Sequence, residues 1–108
     1  MKFIGLLLIV FLVGCESRPT KELALADVAI RSAQKVKAES LATDDFRRAE
    51  NFYLRAKKDF AEGYFDSSRK FATDARLAAE RAEYSALSKQ QKAKGREEGS
   101  DASAVGSE

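Results

Sequence analysis

Hydrophobic positions along the chain fall into three regimes. From Phe3 to Gly14 they are nearly continuous, an apolar run of about 12 residues, whereas a membrane-crossing helix takes about 20. From Leu23 to Gln90 they recur every three or four residues. Ala26, Ala29, Ile30, Ala33, Val36 and Leu41 form one stripe, with Leu23 and Leu25 near its start. Phe46, Ala49, Tyr53, Ala56, Phe60 and Gly63 form a second, with Phe52 beside it, and Phe65, Ser68, Ala72, Ala75, Ala79, Ala82 and Ala86 form a third. This spacing aligns side chains on one face of a helix. It predicts helices from Leu23 to Leu41, Asp45 to Glu62 and Asp66 to Gln90. Beyond Gln91 the chain has almost no apolar mass and three glycines, so a disordered tail is expected over 91–108.

The breaks between the helices have chemical causes. Thr43, Asp44 and Asp45 offer side-chain oxygens for the orphan amides of a helix start, where negative charge also suits the macrodipole. Gly63 can take the left-handed conformation that closes a helix, and Asp66, Ser67 and Ser68 can cap the next. Pro19, the only proline, suits the run-up to the first helix. Connections this short favour antiparallel neighbours. The expected fold is therefore all-α: a three-helix antiparallel bundle, or a tetratricopeptide-like helical hairpin plus one helix. Phe46, Phe52, Tyr53, Phe60, Tyr64, Phe65 and Phe71 are all the aromatics after Cys15 except Tyr84, so the second and third helices should hold the main core. The alanines of the third helix let the backbones approach closely.

Charge and composition narrow the chemistry. Lys plus Arg number 19 against 17 Asp plus Glu, a balance that argues against a nucleic-acid partner. The sequence has no His and one Cys, with no phosphate loop and no GxGxxG, so no catalytic, cofactor or metal site is expected and an enzyme is disfavoured. Asp44 with Asp45 are better explained as caps than as a catalytic pair. Arg47, Arg48, Arg55, Lys57 and Lys58 make the second helix locally basic, either a surface for anionic lipid or a wall polymer or simply a solvated face. Opposite charges at i and i+4 favour the solvated face: Asp27 with Arg31, Lys35 with Glu39, Arg55 with Asp59, Lys58 with Glu62, Asp66 with Lys70, Lys70 with Asp74, and Arg76 with Glu80. Leu77 and Tyr84 form a strip apart from the alanines. It is suited to a partner helix or a second copy, and more simply to the first helix.

Met1-Lys2 and the apolar run have the form of the basic and hydrophobic regions of an export leader. The run ends in Leu12-Val13-Gly14-Cys15, which resembles the lipobox of bacterial lipoproteins. The resemblance implies a diacylglycerol thioether on Cys15, cleavage between Gly14 and Cys15, and acylation of the new N-terminus. Each buried CH₂ contributes about 0.8 kcal/mol, and two or three chains hold a protein stably on a membrane. An uncleaved membrane helix, an ordinary secretory leader or an unmodified thiol are the competing readings. The coincidence of a small residue and the sole cysteine at the end of the run weighs against them. In lipoproteins of this kind Asp after the cysteine favours retention in the inner membrane. Glu16 stands here, which implies the outer membrane, facing the periplasm. The chain then divides into a signal peptide (1–14), a lipidated anchor and spacer (15–22), a helical domain (23–90) and the tail (91–108). The covalent lipid on Cys15 is the only non-protein group implied.

The segments Leu25-Ala26-Asp27-Val28-Ala29-Ile30-Arg31-Ser32-Ala33, Phe46-Arg47-Arg48-Ala49-Glu50 and Gly63-Tyr64-Phe65-Asp66-Ser67-Ser68-Arg69-Lys70-Phe71-Ala72 resemble a family of short, uncharacterised bacterial envelope domains. They also share the spaced alanines and turn of tetratricopeptide repeats. The family brings no catalytic residues. The resulting expectation is a non-catalytic, lipid-anchored binding or scaffold module that presents a helical face to an envelope protein. The alternative is a structural lipoprotein that self-associates as a coiled-coil spacer. Unbroken heptads would favour the spacer, whereas Thr43 to Asp45 and Gly63 interrupt them.

Overall fold

The computed structural model describes residues 17–105, with side chains through Glu97. The apolar run, Gly14 and Cys15 lie outside the described residues. Four helices follow in order: α1 (Thr20–Lys35), α2 (Ala38–Leu41), α3 (Thr43–Glu62) and α4 (Phe65–Val105). No strand occurs among the described residues, and the fold is all-α. Arg69 near the start of α4 pairs with Glu22 near the start of α1, while Gln90 further along α4 donates to the Val36 carbonyl just past the end of α1. α1 and α4 therefore run parallel, with α3 antiparallel to both. α4 is the central element: it packs extensively along α3 and along α1, which meet each other much less.

Alanine dominates the core. Among the described residues, thirteen of the fifteen buried hydrophobic core residues are alanine, so the helices are held by close backbone approach rather than by interlocking large side chains. Ala72, Ala75, Ala79, Ala82 and Ala86 of the expected stripe are all inaccessible, as are Ala26 and Ala33 on α1 and Ala49 and Ala56 on α3. The aromatics expected to fill the hairpin do not: Phe46 alone is fully buried, while Phe52, Tyr53, Phe60, Phe65 and Phe71 are half-buried. With methyl groups facing methyl groups, Phe46 is the one ring the core admits among the described residues. The half-buried rings lie over the seam instead, Phe52 stacked on Phe71 with centroids 6.1 Å apart and Phe60 against Phe65 at 5.6 Å.

The single first helix expected to reach Leu41 is interrupted. Lys37 adopts left-handed backbone angles (φ 59°, ψ 33°), and its N–H donates to the Gln34 carbonyl. The reason lies in the alanine stripe. At 100° per residue a continuous helix would turn Ala38 and Ala42 by about 120° and 160° from the direction of Ala26, out of the core. The break at Lys37 returns both to it, Ala38 at 0% and Ala42 at 7% exposure.

The expected side-chain cap of α3 is replaced. Ala42 holds the N-cap position of α3 and makes no side-chain cap bond, while Thr43 Oγ1 donates backward to the Glu39 carbonyl at 3.0 Å. One residue separates α2 from α3, so the open carbonyls of α2 lie nearer to that hydroxyl than the orphan amides do. Asp44 and Asp45 remain in the first turn of α3, where their charge suits the dipole. Gly63 closes α3 as expected (φ 86°). Its N–H bonds to the Phe60 carbonyl and the Tyr64 N–H to the Asp59 carbonyl, the paired bonds of a Schellman turn.

Beyond Gln90, α4 continues to Val105, and residues 91–97 are all exposed. The bundle has already supplied the helix nucleus. Each further residue adds a hydrogen bond without a new nucleation cost, and Lys, Ala, Arg and Glu are good helix formers.

Two outcomes test these assignments. Lys37→Gly should raise stability by about 0.5–1 kcal/mol, because glycine occupies the left-handed region without the Cβ penalty. Ala79→Leu should lower it by about 1–3 kcal/mol through overpacking of a fully buried core position. Urea unfolding monitored by circular dichroism reads both.

Candidate interaction surfaces

Three regions of the surface carry arrangements beyond those needed for the core. The first is the end of the bundle where the chain enters α1. Here Arg69 Nη2 donates to the Ser17 carbonyl at 2.8 Å and lies 3.3 Å from the Ser17 hydroxyl. The same guanidinium pairs with Glu22 at 3.6 Å and with Asp66 at 3.3 Å. Pro19, at the N-cap position of α1, is fully buried, and its carbonyl accepts from the Leu23 N–H. The sequence shows Arg69 only as one charge on an amphipathic helix. Its role depends on the parallel placement of α1 and α4, which no local pattern encodes.

Nearby, the serines expected as caps bridge the hairpin. Ser68 is fully buried and donates to the Ala56 carbonyl at 2.7 Å; Ser67 donates to Asp59 Oδ2 at 2.6 Å. Asp59, only 5% exposed, also pairs with Arg55 at 3.6 Å, so this buried carboxylate has both a cation and a hydroxyl donor. Among the described residues no buried side-chain nitrogen or oxygen lacks a partner.

The second region is the outer face of α3. Arg47, Arg48 and Lys58 are exposed, and no ion pair involves them among the described residues. Arg55 and Lys57 are engaged locally: Arg55 sits 5.0 Å from the Phe71 ring and Lys57 5.4 Å from the Tyr53 ring, both at cation–π range. Of the seven i,i+4 pairs expected, Asp27 with Arg31 (3.1 Å) and Arg55 with Asp59 form. Burial pushes the Tyr53 phenol above its usual value of 10.0; the Asp27 carboxylate adds to the rise and Arg31 opposes it.

The third region is the outward side of α4. Leu77 and Tyr84 remain 42% and 75% exposed, contrary to the expectation that the first helix covers them. α1 lies along a different flank of α4, where Leu25 shares a groove with Thr73 and Arg76. Leu77 and Tyr84 instead line an open groove with Asp45, Glu80, Arg81 and Ser85. At the far end of the bundle, Lys89 Nζ donates to the Leu41 carbonyl beside Thr43, Asp44 and Asp45, tying α2 to α4.

Among the described residues no helix is long and apolar enough to cross a membrane, and no three His, Cys, Asp or Glu side chains gather as metal ligands. Comparison with protein-family models, with curated proteins and with solved structures gives no match.

Removing the guanidinium with Arg69→Gln should free the approach to α1 while leaving the alanine core in place. Amide hydrogen exchange should then accelerate at Thr20 and Leu23, with little change at Ala79 and Ala82.

Proposed function

We propose that this chain is a lipid-anchored lipoprotein of the bacterial outer membrane, facing the periplasm, that acts as a non-catalytic helical scaffold for an envelope protein. Acylated Cys15 is the anchor, with cleavage between Gly14 and Cys15. The observation that carries this reading is how soon folded structure follows the cysteine. Ser17, two residues on, is already fastened to α4 by Arg69, and Pro19 is already buried. A two-residue connection spans at most about 7 Å, so an acyl chain on Cys15 would hold the bundle against the bilayer as a nearly rigid body. Restricting the bundle to the membrane surface raises its effective concentration toward partners confined to the same compartment.

The groove at Leu77 and Tyr84 and the part of α4 beyond Gln90 are the surfaces available for a protein partner. A self-associating spacer is less well supported. The alanine faces that would form its seam are consumed within one chain, and Gly63 turns the helix back on itself.

Cys15→Ser should abolish incorporation of labelled palmitate and leave the Gly14–Cys15 bond uncut; unchanged labelling and cleavage would overturn the anchor. Light scattering of the soluble chain beginning at Ser17 should give the mass of a monomer, and a stable trimer would favour the spacer.

A further inference from the structure

We propose that the end of the bundle formed by the α3–α4 turn and the start of α1 is a membrane-contact surface, with Tyr64 seated in the interfacial zone of the bilayer. The inference rests on the acylation of Cys15 and states which part of the folded body then meets the lipid. The Ser17 carbonyl is fixed to α4 by Arg69, so Glu16 alone separates the cysteine from a held point. Arg18, the next residue, shares a shallow groove with Phe60, Glu62, Gly63 and Phe65. The point where the chain leaves the bundle and the α3–α4 turn are thus side by side. An anchor attached there brings this end toward the bilayer.

The surface so placed has the chemistry of an interfacial contact. Tyr64 is 62% exposed on a turn whose backbone is held by the Schellman bonds, and its ring offers an apolar body with a polar tip, the combination enriched at headgroup depth. The cations Arg18, Lys21 and Arg69 stand among the carboxylates Glu22, Glu62 and Asp66, and Arg69 already engages two of these. With charges balanced, contact depends on Tyr64 and the adjoining half-buried Phe60 and Phe65 rather than on anionic lipid. Because α4 begins at this end and runs parallel to α1, α2 and the part of α4 beyond Gln90 are directed away from the membrane.

The sequence contains no tryptophan, so single substitutions supply a sole reporter. The full acylated chain carrying Tyr64→Trp or, separately, Tyr84→Trp would be reconstituted into phosphatidylethanolamine–phosphatidylglycerol vesicles with and without brominated acyl chains. The mass of the N-terminal peptide reports acylation independently. The Tyr64→Trp protein should show blue-shifted emission that brominated lipid quenches, while the Tyr84→Trp protein shows neither the shift nor the quenching. Varying the phosphatidylglycerol fraction should leave the shift unchanged. Equal quenching at the two positions, or none at either, in acylated and vesicle-bound protein overturns the orientation and leaves the anchor standing. A chain that bears no acyl group and does not float with vesicles removes both.

Discussion

The close approach of helix backbones across alanine is the constraint on which the rest of this structure depends. A buried methyl contributes about 0.8 kcal/mol, against about 1.5–3 kcal/mol for a whole leucine or phenylalanine side chain. An alanine core is therefore effective only where three axes stay near one another along their length, and there it gains dispersion from backbone as well as side-chain atoms. Every alanine of the α4 stripe meets this condition. The break at Lys37, the one left-handed non-glycine residue among those described, is a local consequence. It places Ala38 and Ala42 in the shared core at the cost of a strained backbone.

The same constraint explains where the large side chains go. Rings excluded from between the axes line the seams, where Phe52, Phe71, Phe60 and Phe65 cover the methyl layer and receive Arg55 from above. Polar groups are used sparingly and with full partnership. Ser68 in particular fills a position too tight for a larger residue and returns its hydroxyl proton to a carbonyl on the facing helix. Such bonds fix the register of α3 against α4, a specification that small apolar contacts cannot supply alone.

Much of this was legible in the residues. The three-to-four spacing located the helices and nearly every buried alanine, and Gly63 announced its turn because a left-handed closure has so few alternatives. What escaped was set by tertiary relations. The caps offered by Thr43, Ser67 and Ser68 depend only on local chemistry, yet nearby carbonyls and a facing carboxylate competed for the same hydroxyls and prevailed. Periodicity on α4 identifies a buried face without saying which flank α1 takes, so nothing in it shows that Leu77 and Tyr84 stay open to solvent. For the candidate surfaces, the cysteine and its apolar run were evident, whereas Arg69 acquires meaning only when residues some fifty positions apart are brought together.

Only five residues between Thr20 and Val105 lie outside a helix: Val36, Lys37, Ala42, Gly63 and Tyr64. Endopeptidases must draw a stretch of substrate into an extended form before cutting, and exposed loops are where chains usually yield it. Within the bundle, cleavage would have to await an opening of the packed helices and would follow its thermodynamics. The economy of connection thus gives a small body without disulfides among its described residues a form of durability that its modest core does not suggest.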